Sequence, residues 1–210
     1  ATISVIAGMD KGIKRLSILN MVLAVSLMST VFIFGETVHI LETFLQNTGS
    51  YINGIIERTF NLQAYSRSDW IGNWTLFIFG WTIAWAPFVG MFIAKISRGR
   101  TIRQFVFGVM LVPTMFTFLW FSVFGDTALN AIMNQGVITL ISDVQENEAV
   151  ALFKLYDLLP SASIMSGLTV LLIITFFVTS SDSGSLVIDS LASGGKEESP
   201  VWQRIFWACL

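Results

Sequence analysis

Two groups of residues combine type and spacing in ways that suit chemistry. Trp70, Trp74, Trp81 and Trp85 follow one another at intervals of four, seven and four. Eleven residues make about three turns of an α-helix, so on a regular helix the four indoles share one face over roughly 22 Å. Indole faces attract cations, and a methylated ammonium, which has no N–H to satisfy, suits them well. The second group is FFVTSSDSGS, Phe176–Ser185, where Thr179, Ser180, Ser181, Ser183 and Ser185 supply hydroxyls and Asp182 a carboxylate. Hydroxyl and carbonyl oxygens are hard ligands of the kind an alkali cation takes.

The composition says what must position these groups. Hydrophobic residues make up 54% of the 210, charged residues 12%, and mean hydropathy is +0.71. Soluble domains carry about 25% charged residues, so the chain reads as a membrane protein. A net charge of −2 gives no reason to expect a nucleic-acid partner. One histidine, His39, and one cysteine, Cys209, leave no zinc cluster and no internal disulfide. Both ends fall in apolar stretches, Ala1–Met9 and Val201 onward, and no basic leader precedes the first. The chain therefore reads as a segment of a longer membrane protein.

A spanning helix needs roughly 20 apolar residues. Four uncharged runs meet that: Leu16–Gly35, Trp70–Ala94, Gln104–Gly125 and Leu158–Ser181. None alternates with period two, which argues against a β-barrel. The expectation is an all-α, polytopic transmembrane bundle with spans over about 16–38, 70–95, 104–125 and 160–185. Between the first two, Ile40, Leu41, Phe44, Leu45, Ile52, Ile55 and Ile56 recur at three and four around Gln46, Asn47, Asn53 and Glu57. That pattern predicts an interfacial amphipathic helix over about 40–58. Leu152, Phe153, Tyr156 and Leu159 repeat it on a smaller scale beside Asp143, Glu146 and Glu148. Nine of the twelve Lys/Arg lie in Lys11–Arg15, Lys95–Arg103 and Lys196–Arg204; Arg58, Arg67 and Lys154 occupy the connections between. Basic residues favour the cytoplasmic side. Residues 95–103 are thus expected in the cytoplasm, and 39–69 and 126–157 outside it, in a plasma (inner) membrane.

This frame sharpens the two groups. An aromatic belt accounts for Trp70 and Trp74 at the outer end of their run. It does not account for Trp81 and Trp85, because the run is centred near Thr82. Core packing is a fair alternative for either one alone, although an indole N–H at the midplane needs a partner, which favours a polar cavity. Pro87 removes a backbone donor and frees the Ile83 carbonyl, and interrupted helices at the midplane are how secondary transporters build sites. Pro113 reads as a packing kink. For the hydroxyl group, helix packing through Ser/Thr hydrogen bonds is the stronger reading on spacing alone. Asp182 shifts the balance, since an ionisable group at membrane depth is costly and a functional candidate. A place in water at the cytoplasmic mouth is its alternative, and the expected place of Asp189.

The same stretches carry a family resemblance. WAPFVGMFIAKISRGRTIRQF (Trp85–Phe105), GMDKGIKRLSILNM (Gly8–Met21), LWFSVFG (Leu119–Gly125) and FFVTSSDSGS are similar, in this order, to segments of betaine/choline/carnitine transporters. The resemblance implies a twelve-helix protein with the leucine-transporter-type inverted repeat, of which this chain covers the end of the sixth helix to the start of the eleventh. It implies that Trp81 and Trp85 stand beside the substrate, Trp74 and Phe79 nearer the outer opening, and Phe88 near the site and a second sodium position. It implies that Phe176, Thr179 and Ser180 contribute to the main sodium site, and hence that sodium is the coupling ion. Family members often carry a second tryptophan directly after the position of Trp81; here it is Thr82, which implies a looser grip or a different solute. The expected partners are a small quaternary-ammonium solute, sodium and the lipid bilayer; a homotrimer is a further expectation that these residues do not set. Two other classes fare worse. A membrane enzyme would need a nucleophile–base pair or phosphate loop, and a channel a selectivity filter or charged ring.

Overall fold

The computed structural model describes residues 12, 14–66, 69–194 and 200–209, apart from the Lys95 side chain. The flanking run Ala1–Met9 and the basic residues Lys11, Arg67 and Lys196 lie outside the described residues. Among the described residues every element is helical. Helix α1 (Lys14–Phe34) exits through Gly35, whose amide donates to the Val31 carbonyl at 2.8 Å. A Cβ on Gly35 would lie 2.7 Å from that oxygen, so the tight exit requires glycine. Thr37 then donates its hydroxyl to the Phe32 carbonyl (2.7 Å) and opens α2 (Thr37–Phe60).

A π-helical segment, Ile71–Leu76, runs directly into α3 (Phe77–Ile96). Helix α4 (Ile102–Trp120) begins at a capping box: the Gln104 amide donates to the Thr101 hydroxyl (3.3 Å), and the Thr101 amide to Gln104 Oε1 (3.1 Å). It continues through a second π-helical segment, Phe121–Asp126, into α5 (Thr127–Met133). Helix α6 (Thr139–Glu146), a 3₁₀ turn (Glu148–Val150) and α7 (Ala151–Tyr156) lead to α8 (Ala162–Ala192), which is followed by α9 (Val201–Cys209).

Among the described residues, four stretches are long and apolar enough to cross a membrane: Lys14–Phe34, Ile71–Ala94, Ile102–Met133 and Ala162–Ala192. The last two have 32 and 31 residues, about 47 Å of helix. The hydrocarbon layer is about 30 Å thick, so each reaches past it, and polar residues near their ends can meet headgroups or protein.

The core lies where α1 crosses α8. Leu23, Leu27 and Val31 of α1 bury against Met165 and Leu172 of α8, with Ile40, Val123, Phe124, Leu155 and Tyr156 closing the outer end. Tyr156 is fully buried and shares a 2.9 Å hydrogen bond with Thr169 of α8; burial pushes its pKa above the usual 10.0, and the Thr169 bond partly offsets that. On the exposed side of the same connection Lys154 pairs with Asp143 at 3.1 Å, and that hydrogen-bonded carboxylate raises the lysine pKa from 10.5. Helix α2 buries only Ile40; Leu41, Leu45, Ile52, Ile55 and Ile56 of its apolar side are exposed.

Helix α3 stands apart from this core. It packs on α8, and its C-terminal end shares a cavity of about 300 Å³ with α8, lined by Met91, Ala94, Arg98, Val187 and Ser190. The two helices therefore run the same way, with their C-terminal ends together. Elsewhere α3 is apolar on all sides and uncovered.

Candidate functional site

On α3, Trp81 and Trp85 sit one turn apart, 56% and 45% exposed, so neither belongs to the core of the described residues. Each has an aromatic neighbour: Phe77 lies 6.2 Å from Trp81, and Phe88 6.3 Å from Trp85, centroid to centroid. Phe88 is half-buried and on the Trp85 side. Phe79 is two residues before Trp81, about 200° around the helix, and projects from the other side. The Thr82 hydroxyl turns back to the Ile78 carbonyl at 2.8 Å. The helix passes through Pro87 as one element, so the freed Ile83 carbonyl is not accompanied by a break.

The row of four indoles is not straight. Trp70 and Trp74 stack on each other at 5.6 Å, but the π-helical segment Ile71–Leu76 lies between Trp70 and Trp81. A π turn holds more residues than an α turn, so the outer pair is rotated relative to the inner pair. The expectation of one shared face over all four assumed a uniform 3.6-residue period, and the local helix type corrects it.

On α8 the hydroxyls divide by how they are used. Ser183 donates to the Thr179 carbonyl at 2.8 Å, and Ser185 to the Ser181 carbonyl at 2.8 Å and to Trp207 of α9 at 3.3 Å. These are packing bonds within and between helices. Thr179 is different. Its hydroxyl hydrogen is shared between the carbonyls of Phe176 (2.9 Å) and Thr175 (3.2 Å). Its oxygen must then accept, and it does so from Asn20 Nδ2 on α1 at 3.1 Å. A hydroxyl has two lone pairs, so one remains. On the same side chain as that donor, Asn20 Oδ1 is buried and has no hydrogen-bond partner among the described residues. Two hard oxygens with lone pairs to spare therefore belong to residues paired across the α1–α8 contact, and oxygens of this kind suit an alkali cation. Ser180, by contrast, is exposed, as is the Phe176 ring. Asp182, one turn further on, is fully buried. Asp189, expected in water, is 6% exposed; α9 folds back over it, with Gln203 Nε2 3.4 Å from its carbonyl.

Helical rise places the two groups at comparable depth. Trp85 lies six residues before Met91, and Thr179 eight before Val187, about 9 and 12 Å from the shared cavity. The Trp85 and Thr179 levels thus agree to within a turn. Asn20 was missed in the sequence, yet a lone amide in the apolar run LSILNMVLA is a visible signal. Asp126 escapes a reading by span as well, because the uncharged run stops at Gly125, just short of it.

These features define a polytopic helical membrane protein with an aromatic helix beside a buried oxygen cluster. The chain belongs to the betaine/carnitine/choline transporter family, whose model matches residues 1–210. A glycine betaine transporter of Acinetobacter baylyi is 52% identical over 207 residues, covering 99% of this chain and 31% of that protein. An osmo-independent choline transporter of the same organism is 42% identical over 213 residues, covering 99% of this chain and 40% of its own length. A glycine betaine/proline/choline/ectoine transporter of Vibrio parahaemolyticus is 44% identical over 211 residues, with 100% of this chain and 37% of the relative covered. The chain thus spans roughly a third of the curated relatives it matches. Its family is one of multi-pass transporters, not of enzymes.

Proposed function

We propose that this chain is part of a secondary active transporter that imports a trimethylammonium solute of the glycine betaine or choline type, coupled to sodium, by alternating access. Trp81 and Trp85, with Phe88, form its share of the ammonium site, beside Thr82. Trp74 and Phe79 lie toward the outer opening. Thr179, Ser180 and the Phe176 carbonyl form its share of the sodium site, together with Asn20 Oδ1, a reading supported by the burial of that unpartnered oxygen. The observation that carries the reading is the pair of midspan indoles at the level of Thr179, whose hydroxyl keeps one lone pair beside an unpartnered amide oxygen. Relatives named for glycine betaine and choline support the solute class. The shared end of α3 and α8 supports a topology with residues 95–103 in the cytoplasm. The experiment is uptake of radiolabelled glycine betaine and choline by the full-length protein in proteoliposomes. Accumulation that requires an inward sodium gradient is expected; no accumulation of either solute under any gradient refutes the reading. Asp182, a fully buried carboxyl one turn from Thr179, favours one competing reading, proton coupling. Accumulation driven by a pH gradient without sodium would select it.

A further inference from the structure

A second site of mixed charge lies between α2 and the π-helical end of α4. A cavity of about 240 Å³ there is lined by Asn47, Tyr51, Arg58, Phe118, Phe121 and Asp126, among others. Asp126 is 8% exposed, and its two oxygens share one donor, Asn47 Nδ2, at 3.2 and 3.0 Å. A carboxylate offers about four acceptor positions, and a buried charge is stable only when paired or fully hydrogen-bonded. Arg58 borders the same cavity but does not pair with Asp126; among the described residues its guanidinium reaches Ser50 Oγ, at 3.4 Å. Tyr51 and Phe118 meet edge to face at 5.1 Å, and Phe121 adds a third ring to the lining. The π-helical turn, which re-aims side chains and recurs at functional sites, ends on Asp126.

An anion, a cation and aromatic rings around one small cavity are the complement of a zwitterion. We propose that this cavity is a second binding site, separate from the one on α3 and α8, for a small zwitterion. The ammonium end meets Asp126 and the rings, where methylated nitrogen is favoured, and the anionic end meets the Arg58 fork. The charges and rings stand independently of the transport reading; only the choice of glycine betaine as the solute rests on it. A free solute and a zwitterionic lipid headgroup share this chemistry, and α2 is amphipathic enough to lie among headgroups.

The test is equilibrium binding of radiolabelled glycine betaine to the full-length protein in a non-ionic detergent, counted per protomer. Two classes of site are expected. Arg58→Gln and Asp126→Asn should each abolish the second class and leave the affinity of the first within about twofold. Tyr51→Leu should weaken the second class about tenfold, with Tyr51→Phe restoring most of it. Arg58 is exposed, so its variant tests the site even if Asp126→Asn does not fold. Binding is then repeated in nanodiscs of phosphatidylglycerol with and without phosphatidylethanolamine. Loss of the second class only with phosphatidylethanolamine assigns the headgroup as occupant of the same site; retention in both assigns the free solute. One class in the wild type, or two that ignore Arg58 and Asp126, overturns the second site and leaves the transport reading intact. No binding by the wild type overturns both.

Discussion

Replacing Asn20 by alanine separates an ion ligand from a structural amide, because the two roles predict opposite signs in the sodium-free protein. In the structural role, the Asn20 Nδ2 bond to Thr179 (3.1 Å) holds α1 on α8, and its loss destabilises the protein by about 0.5–1.5 kcal/mol with or without sodium. In the ligand role, Oδ1 is a buried acceptor left without a partner. Such a group costs about 1–3 kcal/mol, and its removal offsets the lost bond. The sodium-free variant should then be as stable as the wild type or more so. A hydrogen bond to a charged partner contributes about 1.5–3 kcal/mol; taking this as the scale of one ion–dipole contact, the half-saturating sodium concentration should rise at least about tenfold. At a sodium concentration 100 times the wild-type Kd, ligand binding adds about 2.7 kcal/mol of stability; a tenfold weaker variant should retain about 1.4 kcal/mol. Thermal unfolding of the full-length protein, followed by intrinsic tryptophan fluorescence in sodium and in choline-free potassium buffer, reads both quantities. Thr179→Val should act on the same step, so the double variant should cost less than the sum. A lower Tm in potassium for Asn20→Ala, with an unchanged sodium-induced shift, would refute the argument.

Three further outcomes follow. Trp81→Leu keeps apolar bulk but removes the π face, and a desolvated cation–π contact contributes about 2 kcal/mol, or roughly thirtyfold in affinity. Glycine betaine should bind at least about tenfold more weakly, with Trp81→Phe partly restored; unchanged affinity would mean the indole only packs. For topology, a cysteine placed at Ser97 should resist a membrane-impermeant thiol reagent in right-side-out vesicles, and one at Gln46 should react. The reverse pattern overturns the orientation argued from the Lys/Arg distribution. For pH, the buried Tyr156 phenol has a pKa raised above 10.0 in the folded state. Its contribution is therefore complete below pH 10 and is lost as the pH rises through the folded value. Tyr156→Phe should flatten the fall in Tm above pH 10 while lowering Tm at neutral pH, where the 2.9 Å bond to Thr169 is lost. An unaltered alkaline limb would show that another group governs it.

What could be read in the sequence, and what could not, divides along the range of the interactions. The spans are written locally: uninterrupted Phe, Leu, Ile and Val runs leave a chain in lipid little choice but helix. The start of α4 is a capping box visible in two residues three apart, Thr101 and Gln104. The π-helical segments at Ile71–Leu76 and Phe121–Asp126 have no such code. They carry the same apolar residues as the α-helices they join, and each changes which side chains share a face. That is why the four-indole row bends. The oxygen cluster fails to be legible for a related reason. Sequence spacing lines up Thr179, Ser180, Ser181, Ser183 and Ser185 as equals, whereas α1 and α9 sort them. The α8 backbone takes Ser183 and, shared with the α9 backbone, Ser185, and Asn20, 159 residues away, leaves Thr179 with a lone pair to give. Hydroxyl number sets how many oxygens a helix can offer; long-range packing sets which of them remain available to an ion.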